Sequence, residues 1–225
     1  MKKKLNIFIL KRLLLALPSV LIIFNSCIGV STEIQMNRDG SGRITMEYRI
    51  SKTLDSLGVL DGNESMPPIP VSRSDWERSV SRISGARLVS HSRRETAQDT
   101  IISAVIEFNN PQTMAAVLSA SNEMISINFS GQSNSNSFNM IFNNSNARYD
   151  ADLLTLMQTI FSGYNFSFSF NAPGNSTMTL TDARANAIST PSSAAAVLSG
   201  RTVSMSMNTL DVLNQINGLG IRIDW

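Results

Sequence analysis

The sequence predicts an α+β fold: a curved, mostly antiparallel β-sheet packed against a few helices, preceded by an N-terminal signal peptide. Three observations carry that expectation. Apolar and polar residues alternate over many short segments, the period of half-buried strands. Fewer segments carry an apolar stripe at helical spacing behind a capping residue. Hairpins outnumber the helices that interrupt them, which separates this pattern from the strict strand-helix alternation of a parallel sheet.

The chain begins with an address. Lys2, Lys3, Lys4, Lys11 and Arg12 accompany an uncharged apolar run from Leu13 to Phe24. That run falls short of the ~20 residues needed to span a bilayer and suits the hydrophobic region of a secretory signal. The Phe24-Asn25-Ser26-Cys27 segment resembles a bacterial lipobox, with a small residue directly before the cysteine. Phe24 and Asn25 depart from the usual branched aliphatic and small residues, and in this they look like the relaxed lipoboxes of spirochaete lipoproteins. The resemblance implies a signal peptide over residues 1–26, a thioether-linked diacylglycerol on Cys27 and a single envelope domain over residues 27–225. A second reading stays open. Cys27-Ile28-Gly29 and Gly29-Val30-Ser31 also fit small-x-small cleavage, which would release a soluble secreted domain. Cys27 is the only cysteine, so no intramolecular disulfide or cysteine-rich metal cluster competes for it. At ~0.8 kcal/mol per buried methylene, one acyl chain holds marginally and two or three hold durably.

Losing the signal changes the charge balance. Of 19 basic residues five lie in it, leaving 14 against 17 acidic ones, net −3. The one remaining lysine is Lys52. A nucleic-acid partner, which requires a concentrated basic face, is therefore not expected. Apolar residues at 42% with clear periodicity argue against disorder.

The elements follow in order. Ile34 and Met36, then Ile44, Met46, Tyr48 and Ile50, face one way on either side of Asp39-Gly40-Ser41-Gly42, predicting a β-hairpin. A loop containing Met66-Pro67-Pro68-Ile69-Pro70 reads as a surface crossing. Ser74 and Glu77 suggest a capping box before the stripe Trp76, Val80, Ile83. Asn110-Pro111 caps Met114, Val117 and Leu118. Alternation returns at Ile125, Ile127, Phe129 and at Phe138, Met140, Phe142, with the Ser/Asn-rich residues 130–146 expected as a hairpin with a long polar tip. Asp150 precedes the stripe Leu153, Leu154, Met157, Ile160, Phe161. Strands then follow at Tyr164 to Phe170, at Met178 and Leu180, at Val203 to Met207 and at Ile221 to Trp225, with Asn208 and Asp211 opening a short helix before Leu213 and Ile216. No exact repeat is present, although strand-strand-helix recurs.

The start near Cys27, the hairpin Ile34-x-Met36-Asn37-x-Asp39-Gly40-Ser41-Gly42-x-Ile44 and the closing Leu210 to Trp225 segment resemble the LppM-like envelope proteins of bacteria. That resemblance covers the two ends of the mature chain. It implies an envelope-facing α+β domain for which lipid or glycolipid binding is suspected, and it carries over no site residues. Members of that group usually continue into a C-terminal transmembrane helix, so the lipid on Cys27 is expected to replace that span here.

Known chemical signatures fit poorly. Asn37-x-Asp39-x-Ser41-Gly42 imitates the start of a calcium loop, but the twelfth position is Tyr48, which supplies no bidentate carboxylate, and the flanks read as strands. The segment is expected to be a tight turn with Gly40 or Gly42 at positive φ. His91 is the only histidine, so no metal site is expected. Arg87, Arg93 and Arg94 beside it read as a solvated strand, with a phosphate or headgroup contact as the alternative. There is no Gly-x-Ser-x-Gly elbow, Ser-x-x-Lys, Walker loop or dinucleotide fingerprint. Asp150 and Asp152 read as helix first-turn charges. No catalytic residue and no cofactor is expected.

What remains is bulk. Phe129, Phe138, Phe142, Tyr164, Phe166, Phe168, Phe170, Met205 and Met207 supply more apolar volume than a thin sheet requires, and flexible methionines suit a groove for acyl chains. They line either an apolar cleft or an ordinary core. Two functions follow from different classes. One is a membrane-anchored, non-enzymatic module binding a lipid, glycolipid or other envelope component. The other is a structural or surface-interaction lipoprotein meeting an envelope protein partner through Ser/Asn-rich loops. An enzyme is the third, with His91 as its only obvious general base.

Overall fold

The computed structural model describes residues 28–52, 70–119, 125–132, 135–142, 155, 163–182, 184, 186–191, 193–213 and 218–225. The hairpin at the start of the domain forms as β1 (Ile28–Met36) and β2 (Gly42–Ser51), in register from Ile28 opposite Ile50 to Met36 opposite Gly42. Its turn is closed by Asp39, whose Oδ1 accepts from the Ser41 amide at 3.0 Å and the Ser41 hydroxyl at 2.7 Å. Those bonds hold the Asp39 carboxyl below the ordinary aspartate range, the hydroxyl contributing most. Gly40 takes the positive φ of +82°. Gly42 is glycine for a different reason: a Cβ there would stand 2.1 Å from the Gln35 carbonyl oxygen and 2.5 Å from the Phe108 ring.

Two strand-strand-helix units stand in succession. After the first hairpin comes α1 (Arg73–Val80), and after β3 (Ala86–Glu95) and β4 (Asp99–Phe108) comes α2 (Pro111–Ser119). The capping box of α1 lies two residues before the expected one. Ser72 is the N-cap, its Oγ accepting from the Asp75 amide at 3.2 Å while Asp75 accepts from the Ser72 amide at 3.1 Å. Asp75 at that position also faces the positive helix end, which favours this box over Ser74 and Glu77. α2 begins as expected, with Asn110 Oδ1 accepting from the Thr113 amide at 2.8 Å.

The remaining strands are β5 (Ile125–Gln132), β6 (Ser135–Phe142), β7 (Asn165–Asn171), β8 (Thr177–Thr181), β9 (Ala195–Ser199), β10 (Thr202–Asn208) and β11 (Leu219–Asp224), with the short α3 (Thr209–Leu213) before the last. The β5-β6 hairpin has a short tip, because Gln132 pairs with Ser135. Of the Ser and Asn residues expected in a long tip, Ser130, Ser135, Asn136, Ser137 and Asn139 are strand residues, and the others lie outside the described residues. The helix expected after Asp150 falls, but for Thr155, outside the described residues, as do Phe24 to Cys27 and residues 66–69.

Seven strands form one sheet in the order β3-β4-β2-β1-β7-β10-β9, and four form a second in the order β5-β6-β11-β8. Every pairing between named strands is antiparallel except β1 with β7. The large sheet has one apolar and one polar face. Ile34, Ile44, Ile106, Phe168, Phe170, Val203 and Met205 lie buried on the apolar side. Over its β2 part lies α1, with Trp76 stacked on Tyr48 at 6.0 Å. Over its β7 part lies the second sheet, with Phe138 of β6 stacked on Phe170 at 5.5 Å and on Phe168 at 6.2 Å. Among the described residues the other face is mainly polar. Across it run rungs of polar side chains, such as Arg87, Glu107, Arg43, Gln35, Asn171 and Thr202 in paired succession.

Candidate functional site

β1 is the middle strand of the large sheet, and it starts at Ile28, directly after Cys27. Strand direction therefore fixes two poles. Near the start of β1 lie the start of β7, the end of β2 and the start of β4. Near its end lie the Asn37 to Ser41 turn, the end of β4 and the start of β3.

At the first pole a cleft of about 380 Å³ is lined by Glu47, Arg49, Gln98, Asp99, Tyr164 and Asn165, with Gly29 in its wall. The Tyr164 hydroxyl donates to Asp99 Oδ1 at 2.6 Å. Its ring lies so close to β1 that a Cβ at Gly29 would stand 2.7 Å from Tyr164 Cδ1.

At the opposite pole a cleft of about 480 Å³ is lined by Gln35, Asn37, Ser41, Arg43, Arg87, Glu107 and Asn109. Arg43 and Arg87 converge on Glu107 from the neighbouring strands at 2.9 and 2.5 Å. Hydrogen bonds from Arg43 first, then Arg87, hold the Glu107 carboxyl below the ordinary glutamate range. The cleft carries one net positive charge and several amide and hydroxyl groups, a surface for hydrogen-bonded polar or anionic groups.

Seven of the nine apolar residues singled out from the sequence come together and are packed. Phe138, Phe142, Phe166, Phe168, Phe170, Met205 and Met207 belong to one buried core. Phe142 meets Phe166 edge-on at 4.7 Å, and Phe170 meets Trp225 at 5.1 Å. Phe129 stands opposite Phe138 in the strand register, and its side chain lies outside the described residues. Tyr164 is the one member of the set that lines either polar cleft, so these rings and thioethers fill the space between two sheets instead of walling the two clefts described above. Excess bulk arises because a second sheet, and not helices alone, covers β7.

Elsewhere, His91 sits on β3 opposite Ala104, and Arg93 pairs with Glu95 at 3.8 Å. Arg87 is drawn into the distal cleft. Sequence reasoning had no signal for Arg43, Glu107 or Asp99, since isolated charges on strands acquire meaning only through pairing register. Among the described residues no helix is long and apolar enough to cross a membrane.

The folded domain of Mycobacterium tuberculosis LppM, solved by NMR, is similar to this chain with a TM-score of 0.47 and 8% sequence identity, over 88% of this chain and 89% of that one. No family model matches the chain, and no curated protein is similar to it in sequence.

Proposed function

We propose that this chain is an envelope lipoprotein, tethered through a lipid on Cys27, whose α+β domain is a non-enzymatic module that meets an envelope component through its open polar surface. The observation that carries the reading is the absence of a spacer between Cys27 and β1. A lipid there couples directly to the central strand and holds the domain flush with the bilayer, the cleft of Tyr164 and Asp99 inward and the cleft of Arg43, Glu107 and Arg87 outward. The mature charge of −3, the signal-like N-terminus and the polar outer face of the large sheet support the same reading. Mass spectrometry of the N-terminal peptide and detergent partitioning test it. A diacylglyceryl Cys27 that is lost with membrane association in Cys27→Ser is the expected result. An unmodified peptide starting after Gly29 or Ser31 removes the tether and the reading with it.

A second reading places a lipid or glycolipid acyl chain among the Phe and Met side chains between the two sheets. Their number and the adaptability of Met205 and Met207 favour it; their close packing requires that the sheets part on binding. Lipid retained by the delipidated protein in native mass spectrometry is its expected signature, and an empty domain argues for the first reading alone.

A further inference from the structure

The two edges of the large sheet differ. β3 carries Arg87, Arg93, Arg94 and Glu95 and is interrupted by a bulge between Leu88 and Ser90. Charges and bulges are the devices that keep a sheet edge from pairing with another chain. β9, at the other edge, has neither. Its sequence Ala195-Ala196-Val197-Leu198-Ser199 contains no charge and no proline, and it pairs with β10 without a break. Val197 and Leu198 are 61% and 56% exposed, the two most exposed large apolar side chains among the described residues. They stand on opposite faces of the sheet, Val197 opposite Ser204 and Leu198 opposite the buried Val203. An apolar strand open on both faces and along its edge is built for strand addition.

We propose that β9 pairs with β9 of a second copy of this chain, antiparallel about a two-fold axis through Val197, joining two large sheets into one. The occupant follows from charge and register. A two-fold axis perpendicular to the sheet places each residue opposite one on the same face, so the axis must pass through a residue pair. Only the register centred on Val197 pairs all five residues of β9. It sets Val197 against Val197 on the polar face, Leu198 against Ala196 twice on the apolar face, and Ala195 against Ser199 twice. No like charges meet anywhere along it. The same operation on β3 would bring its arginines against one another.

Strand direction adds a consequence that rests on the lipid tether proposed above. β9 runs parallel to β1, because β1 and β7 are parallel and β10 is antiparallel to both β7 and β9. Val197 lies level with Glu33 through Ser204 and Ser169. Ile28, the first residue of β1, is five residues below that level, so at ~3.3 Å per residue the two β1 starts of the pair lie about 33 Å apart along the strand axis, at opposite poles. Pairing of this kind joins chains held in facing bilayers and not neighbours in one leaflet.

Cysteine cross-linking tests the pairing whether or not Cys27 is lipidated. In the full chain carrying Cys27→Ser and purified in detergent, Val197→Cys is expected to give a disulfide-linked dimer on mild oxidation, and Ala195→Cys, which faces Ser199, far less. Val197→Lys should abolish concentration-dependent dimerisation in sedimentation velocity while the circular dichroism spectrum is retained. A monomer at every concentration, or equal cross-linking at both positions, overturns the proposal. With the lipidated chain in phosphatidylcholine vesicles, clustering that Val197→Lys removes supports the facing-membrane arrangement. Cross-linking in detergent without clustering overturns that arrangement and leaves the pairing standing.

Discussion

Replacing Phe138 with alanine separates a packed core from a ligand-lined cleft. Phe138 is 0% exposed and stacks across the inter-sheet space on Phe170 and Phe168, both on β7. β7 is held by β1 on one side and β10 on the other, so neither ring can follow the lost side chain into the space it leaves. Phe→Ala substitutions at such sites cost about 3–5 kcal/mol. Against a typical total of about 5–15 kcal/mol this is a large loss, and at ~2–4 °C per kcal/mol it lowers the melting temperature by roughly 6–20 °C. The assay is urea unfolding followed by fluorescence of the chain's two tryptophans. Trp225 reports beside Phe170 and Trp76 beside Tyr48, one under each cover of the large sheet. Coincident transitions in single-tryptophan variants establish that both covers unfold together. A loss under about 1 kcal/mol at unchanged denaturant slope would refute the packed-core reasoning, because a ring facing a solvated or lipid-filled space leaves no dry cavity when removed.

Three further outcomes are expected. Gly42→Ala forces a Cβ against the Gln35 carbonyl and should destabilise by about 1–3 kcal/mol or more; Gly174→Ala, with nothing within 4 Å of its Cβ, should be neutral or slightly stabilising in the same thermal melts. Ser72→Ala removes one half of the α1 capping box and should cost about 1 kcal/mol, with Ser74→Ala as the near-neutral comparison. Glu107 has a lowered pKa, so its stabilising contribution is present above the ordinary glutamate value of 4.5 and fades as pH falls through the lower folded-state value. Glu107→Gln should therefore be less stable than the parent chain near neutrality, with the difference shrinking in denaturation series carried below that value.

The parts of the fold legible in the sequence are those where one face of a strand is buried and the other is wet. Ile34 and Met36, Ile44 to Ile50, and Phe166 to Phe170 alternate cleanly, and each lies where the alternation puts it. β4 was harder to read, because Ile101 and Val105 occupy the polar face beside Ile102, Ala104 and Ile106, which blurs the period into a continuous apolar run. β9 is alanine-rich and carries no burial pattern at all, since no side chain of it is covered. The central place of β1 in the large sheet could not be read from the sequence, because strand order depends on pairing between β1 and β7 across about 135 residues of chain. The distal cleft was invisible for the same reason: Arg43, Arg87 and Glu107 meet only through the register of three strands.

That register also decides which surfaces a tethered chain presents. β1 is nine residues long and rises ~3.3 Å per residue, so its two ends stand about 30 Å apart. In the tethered arrangement proposed above, Tyr164, Asp99 and Arg49, which lie near the start of β1, stand on the bilayer side. In that same arrangement Arg43, Arg87 and Glu107, at the other end of β1, stand beyond the reach of headgroups of the same leaflet. A ligand at the distal cleft must then come from the aqueous side or from an opposing surface. The β9 edge opens sideways, perpendicular to the strand axis, and an antiparallel partner proposed to pair there would have the start of its own β1 at the far pole.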